Sequence, residues 1–160
     1  ECRREMTHFL TRLPEDAPRP SPHRGIFAPM TGGPAKAAGP LRVLVVDDSP
    51  VIRILLDDVL SAAGYEVTLA DDGDTALARI RRDRPDILIT DLNMPRMHGF
   101  SLIAQLRADP QFASLPVVVL TSEESAAKRA KAPGVRAWVV KPFEPAELLE
   151  AIRGLELSAS

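Results

Sequence analysis

Cysteine is almost missing from this chain: Cys2 is the single one in 160 residues. An internal disulfide is excluded, and the usage fits a reducing compartment, so a cytoplasmic location is expected. Long apolar runs are missing as well. None approaches the roughly 20 residues of a membrane span, and the charged N-terminus lacks the apolar stretch of a secretory signal. No membrane insertion is therefore expected. Excess positive charge is also lacking: 20 Lys and Arg stand against 22 Asp and Glu, a net charge of -2. From residue 41 onward there are 14 basic and 18 acidic residues, or -4. That is the wrong sign for a nucleic-acid duplex, so no nucleic-acid partner is expected for this part. What the chain has is apolar content, 45%, enough for a full core in a length that suits one domain.

Residues 1–40 hold seven of the fifteen prolines and four of the nine glycines. Pro14, Pro18, Pro20 and Pro22 fall too close together for a helix. Apolar residues there are sparse and without a period, so a disordered arm is expected. The chain opens on Glu1 rather than Met, so the arm is expected to be incomplete.

From Leu41 the pattern becomes regular. Arg42–Val46 is an apolar, β-branched strand ending in Asp47-Asp48. Ser49 caps a helix with Pro50 in its first turn. Val51, Ile52, Leu55, Leu56, Val59 and Leu60 form its expected inward stripe, and Gly64 ends it. Glu66–Ala70 is a second strand. Asp72-Gly73-Asp74 turns into a helix carrying Ala76, Leu77 and Ile80, over by Pro85. The run at 86–90, with Ile87, Leu88 and Ile89, is a strand buried on both faces, and Asp91 stands where it should end. Pro95 and Gly99 hold the next loop, with Gly99 permitting a sharp bend. A helix from about Phe100 to Arg107 turns Leu102, Ile103 and Leu106 inward. Leu115–Leu120 is a fourth strand, ending at Thr121. A short polar helix, about Glu124 to Ala132, is cut by Pro133 and Gly134. Ala137–Val140 is a fifth strand, ending at Lys141, and Pro145 opens a last helix with Leu148, Leu149 and Ile152 inward. Strand and helix alternate five times. That order means a parallel sheet with helices on both faces, because the crossovers are right-handed.

In such a sheet every carboxyl end lies on one edge, where α/β folds place their ligands. Asp47, Asp48, Asp91, Thr121 and Lys141 would meet there. Asp91 taken alone could simply cap the next helix; the other strand ends argue for more. Three carboxylates repel one another by about 4 kcal/mol per pair at 4 Å, so the cluster needs protons or a cation. Few, hard, accessible oxygens suit Mg²⁺. With Lys141 as a fixed positive charge and Thr121 as a hydrogen-bond donor, the group is a cradle for a phosphoryl group on an aspartate.

Asp47-Asp48, the Asp91-Leu92-Asn93-Met94-Pro95-Arg96-Met97-His98-Gly99 segment, Thr121-Ser122 and Lys141-Pro142-Phe143 together resemble the receiver domain of two-component response regulators. The resemblance covers residues 41–157. It implies a flavodoxin-like, doubly wound, three-layer fold, with five parallel strands in the order 2-1-3-4-5. It also implies that Asp91 is the phosphoacceptor and that a sensor histidine kinase is the donor. Asp48 and Asp91 would bind Mg²⁺ directly, Asp47 through water, and Asn93 through its backbone carbonyl. Thr121 would swing toward the aspartyl phosphate and Lys141 would pair with it, across a cis Lys141–Pro142 bond. Trp138 stands at the switch aromatic position. Asn93 and Glu123, two residues beyond the acceptor and the threonine, resemble the chemotaxis subgroup, where these positions govern how fast the phosphate is hydrolysed. The same similarity implies a switch rather than an enzyme, with helix 4, strand 5 and helix 5 as the output face and no output domain after the fifth helix. Two alternatives stand beside it. One is a receiver-fold interaction module that works unphosphorylated; the other is a phosphate sink or phosphorelay intermediate. An aspartyl-phosphate phosphatase is disfavoured, because it would need a second Asp where Asn93 stands. His98 is expected to be a solvated loop residue.

Overall fold

In the computed structural model, residues 39–123 and 125–158 are described. The expected disordered arm, apart from its last two residues, lies outside them, as does Glu124. The elements run β1 (Arg42–Val46), α1 (Pro50–Ala62), β2 (Glu66–Ala70), α2 (Gly73–Asp83), β3 (Ile87–Asp91), α3 (Gly99–Ala108), β4 (Val117–Thr121), α4 (Ala126–Lys131), β5 (Ala137–Val140) and α5 (Pro145–Ser158). The strands form one parallel sheet in the order β2-β1-β3-β4-β5. The parallel α/β class is the one the alternation of elements implies, and the strand order is the one the resemblance implies.

The sheet divides its apolar residues by strict alternation, since successive side chains point to opposite faces. Leu44, Val46, Leu88, Val117 and Val119 pack with Ala76, Leu77 and Ile80 of α2 and Leu102, Ile103 and Leu106 of α3. Val43, Val45, Ile87, Ile89, Val118 and Leu120 pack on the other side with Leu56 and Leu60 of α1 and Leu148, Ile152 and Leu155 of α5. The central strands β3 and β4 are buried along their whole length. Each such Val, Leu or Ile contributes about 1.5–3 kcal/mol by leaving water, which makes these two strands the rigid base of the edge beyond them.

The helix ends follow local chemistry. Ser49 Oγ accepts from the Ile52 N–H at the start of α1. Gly64, at φ +94°, takes the left-handed position beyond its end. Arg84 closes α2 at φ 48°; the following Pro85 disfavours right-handed helix at the residue before it. Among the described residues, no helix is long and apolar enough to cross a membrane.

Three expectations need adjustment. Only part of the α1 stripe turns inward: Leu56 and Leu60 are buried, whereas Val51 is 72% and Leu55 41% exposed. Ile52, Leu56 and Leu60 follow one i, i+4 row, and Val51 and Leu55 form the next row, about 100° round the helix. β3 runs through Asp91 instead of stopping before it, pairing Asp91 with Leu120. β4 starts at Val117, two residues later than its apolar run. Pro116 has no N–H to give the ladder, although its carbonyl still accepts from Leu88 N–H.

Candidate functional site

Five strand-end residues meet at the carboxyl edge. Asp47 leaves β1 with its side chain fully buried. Its Oδ1 accepts from the Ser49 N–H at 2.9 Å and its Oδ2 from Lys141 Nζ at 2.9 Å. Its main chain is fixed too: the N–H donates to the Ala70 carbonyl, and the carbonyl accepts from Arg53 Nη1 at 2.6 Å. Asp48, next in the chain, is exposed. Asp91 ends β3 with its side chain 8% exposed. Its Oδ1 accepts from the Asn93 N–H at 3.2 Å, and its Oδ2 lies 3.4 Å from Lys141 Nζ. One ammonium thus bridges two buried carboxylates. Lys141 is held in turn by its own N–H, which donates to the Thr121 carbonyl at 2.7 Å, and the Lys141–Pro142 peptide is cis. The alternative role for Asp91 as a helix cap fails, because the N-cap of α3 is His98. His98 is exposed, as expected.

The electrostatics are those of a site short of positive charge. Burial is the main influence on Asp91 and pushes its pKa above the usual carboxylate value. The Asn93 N–H and the Lys141 charge pull it back, and the Asp47 charge adds to the rise. Burial works against the Lys141 ammonium. The Asp47 hydrogen bond and charge, with the Asp91 charge, outweigh it and hold that pKa above ordinary lysine. Asp47, Asp48 and Asp91 bring carboxylate oxygens within 4.8 Å of one another. At that separation each like-charge pair costs about 3.5 kcal/mol near a protein surface, and a single lysine offsets only part of it. An all-oxygen set with one exposed member fits a hard, partly hydrated divalent cation.

Thr121 is at this edge, fully buried, but its hydroxyl is engaged elsewhere. It donates to the Glu123 carbonyl at 2.7 Å and accepts from the Glu123 N–H at 3.2 Å. Trp138 is partly buried against the α2–α3 side of the core, with the Arg129 guanidinium 5.7 Å over its ring. Glu123 points its side chain outward, 75% exposed, and pairs with Lys128 at 3.5 Å. Asn93 is exposed and meets Asp91 through its N–H. Asp47, Asp48, Asp91 and Lys141 are therefore gathered as the sequence implies, while the Thr121 hydroxyl turns to Glu123 in the β4–α4 loop and Trp138, on β5, packs against the core beside Arg129.

Two contributors, Arg53 and Lys128, escape the sequence reading, and two residues it names, Asp72 and Arg96, make contacts it does not foresee. Arg53 holds the Asp47 carbonyl, and Lys128 donates to the Glu123 carbonyl at 2.8 Å. Asp72 caps α2 through the Thr75 N–H and pairs with Arg96 at 3.0 Å, joining the loops after β2 and β3. Arg96 takes φ 67°, which nothing in its identity announces. Gly99 matters at this site for a reason other than the expected bend. It has no left-handed φ; a Cβ there would stand 2.9 Å from Leu92 Cα and 3.1 Å from the Asp91 carbonyl carbon. It is needed for space against the backbone of Asp91, not for a bend.

The family model for the response regulator receiver domain matches residues 43–153. Response regulator MprA of Mycobacterium leprae is 42% identical over 117 residues, which is 72% of this chain and 50% of that protein. The chain spans about half the length of the curated relatives it matches. Among solved structures, chemotaxis protein CheY4 of Vibrio cholerae superposes with a TM-score of 0.69 at 41% identity, covering 72% of this chain and 98% of that one. Response regulator TrrA of Thermotoga maritima, solved in complex with Mg²⁺ and BeF, gives 0.66 at 31% identity, covering 72% and 98%.

Proposed function

The chain belongs to the response regulator receiver domain family, and from that premise we propose that Asp91 accepts a phosphoryl group from the phosphohistidine of a sensor histidine kinase. The observation that carries the reading is the Lys141 ammonium lying 2.9 Å from Asp47 and 3.4 Å from Asp91. It pulls the Asp91 pKa down against burial and stands where phosphoryl oxygens would arrive. An Asp91 carboxylate oxygen attacks phosphorus in line. The O–P bond of an acyl phosphate forms while the P–N bond breaks, and the bonding pair returns to the imidazole nitrogen. Positioning and charge neutralisation supply the rate in such transfers. Asp47, Asp48 and Asp91, with the Asn93 carbonyl, would hold Mg²⁺, which supplies positive charge to the phosphoryl oxygens. The Asn93 N–H fixes one oxygen of Asp91, leaving the other facing Lys141.

The kinase docks on α1 in this reading. The helix begins just after Asp48 and turns Val51, Ile54 and Leu55 outward, 72%, 61% and 41% exposed. An apolar row beside the acidic edge suits a helix that carries the donor histidine. The chain works as a switch, not a turnover enzyme. Its output is a protein-binding surface on α4, β5 and α5, whose partner affinity changes as Thr121 leaves Glu123 for the phosphoryl group. Asn93 and Glu123 favour a chemotaxis or motility pathway, and the similarity to the Vibrio cholerae chemotaxis protein supports it. The test is intact mass after incubation with phosphoramidate, a P–N donor, with and without Mg²⁺. One phosphoryl gained only with Mg²⁺ supports the proposal; an unchanged mass in both arms removes it.

A further inference from the structure

We propose that Lys128 is a positioning residue that holds the Thr121 hydroxyl away from the acceptor while the chain is unphosphorylated. The inference rests on Asp91 being the acceptor. Thr121 has little freedom of its own. It ends β4 in register with Val140, its carbonyl is bound by the Lys141 N–H, and its side chain is fully buried. Only the side-chain torsion remains free. A buried hydroxyl left without an acceptor is costly, so it stays with whatever acceptor lies in reach. Here that acceptor is the Glu123 carbonyl at 2.7 Å.

Glu123 lies beyond the sheet, in a loop with its side chain in solvent. Its carbonyl is fixed from α4. Lys128 Nζ donates to it at 2.8 Å and also reaches the Glu123 carboxylate at 3.5 Å. Lys128 is itself placed by the start of the helix, where Ser125 Oγ accepts from its N–H at 3.2 Å. A charged donor bonds the carbonyl more strongly than a neutral one. The loop peptide is thereby held with its oxygen inward, in reach of Thr121. Without the ammonium that carbonyl is free to turn to water. The hydroxyl then loses its acceptor and favours the Asp91 side. Lys128 sets the balance between the two Thr121 positions, and through it the readiness of the site.

Substituting Lys128→Gln removes the ammonium, and Lys131→Gln, on the same helix, makes the same change in net charge. The first is expected to raise the rate of phosphoryl incorporation from phosphoramidate about fivefold, the factor of one ordinary hydrogen bond. Lys131→Gln leaves the rate at the wild-type value, and Lys128→Arg, which keeps a charged donor, restores most of it. In a Thr121→Ala background Lys128→Gln has no further effect, because the residue it acts through is gone. Equal rates for Lys128→Gln and the wild type, or the same gain without Thr121, would overturn the inference. A second measurement needs no phosphoryl at all: the three-bond couplings of Thr121 report its rotamer by NMR. Lys128→Gln is expected to shift that rotamer population, and an unshifted population overturns the proposal even if the wild-type chain takes no phosphoryl.

Discussion

The sharpest steric constraint at the site falls on Gly99, and replacing it with alanine tests whether Asp91 is held by close packing. The added Cβ would lie 2.9 Å from Leu92 Cα and 3.1 Å from the Asp91 carbonyl carbon, and closer still to the Asp91 carbonyl oxygen. Carbon atoms rest at about 3.5–4.0 Å, so the overlap is about 0.5 Å or more against backbone that has no rotamer to escape by. Either the first turn of α3 or the Asp91–Leu92 peptide must move by about 1 Å. Overpacking of this kind costs about 1–3 kcal/mol, and alanine's better helix propensity returns at most about 1 kcal/mol. A net loss of about 1–2 kcal/mol lowers Tm by about 4–8 °C in a domain of this size. The displaced atoms belong to the acceptor itself, so phosphoryl incorporation should slow by about tenfold or more. Gly154, inside α5, is the control: among the described residues a Cβ there meets nothing within 4 Å. Gly154→Ala should gain about 0.5–1 kcal/mol and leave the rate alone. Circular dichroism melts and single-turnover mass spectrometry read both quantities. A Gly99→Ala protein as stable and as fast as the wild type would refute the packing argument.

Other perturbations have equally definite outcomes. Asp72→Ala loses the α2 cap and the Arg96 pair and should cost about 1–2 kcal/mol by chemical denaturation. The folded Asp72 pKa lies below the usual value, chiefly because of the Thr75 N–H. Its contribution is therefore present above about pH 4 and lost as pH falls further, so wild type and variant should converge in acid. Tyr65 is the chain's single tyrosine, and its hydroxyl donates to Glu156 at 2.7 Å. Burial and that bond push its pKa from 10.0 to about 12. A raised pKa stabilises below the ordinary value, so this contribution fades as pH climbs from 10 toward 12. Phenolate absorbance should show a midpoint near 12 that falls to about 10 on unfolding and only part of the way on Glu156→Gln, where burial remains; a midpoint near 10 in the native protein would contradict the contact. Ile54→Glu should slow transfer from a phosphorylated kinase by about tenfold or more, the cost of losing an interface anchor, without slowing phosphoramidate. Equal slowing with both donors would place the effect at the site and not at the docking face.

The sheet was legible because its strands are continuous apolar runs between turn residues, a pattern few other structures produce. Once the strands are parallel, Asp47, Asp91, Thr121 and Lys141 must share an edge, so the site followed from topology before any contact was known. The direction of the Thr121 hydroxyl did not follow. It depends on a loop carbonyl held by Lys128, three residues after the cap Ser125, and long side chains reach their partners through placement that no local pattern encodes. The contacts of Arg53 and Arg96 were missed for the same reason. The outward row of α1 was misread because Val51 and Leu55 are as apolar as their buried neighbours. Hydrophobicity alone does not separate a core face from a surface kept apolar for a partner.

The central claim is that Asp91 carries the phosphoryl group, and peptide-level localisation tests it directly. After incubation with phosphoramidate and Mg²⁺, the peptide containing Asp91 should bear one hydroxylamine-labile phosphoryl, as an acyl phosphate does, and Asp91→Asn should bear none. A phosphoryl found on Asp47, Asp48 or a hydroxyl side chain, or one that persists in Asp91→Asn, would contradict the account.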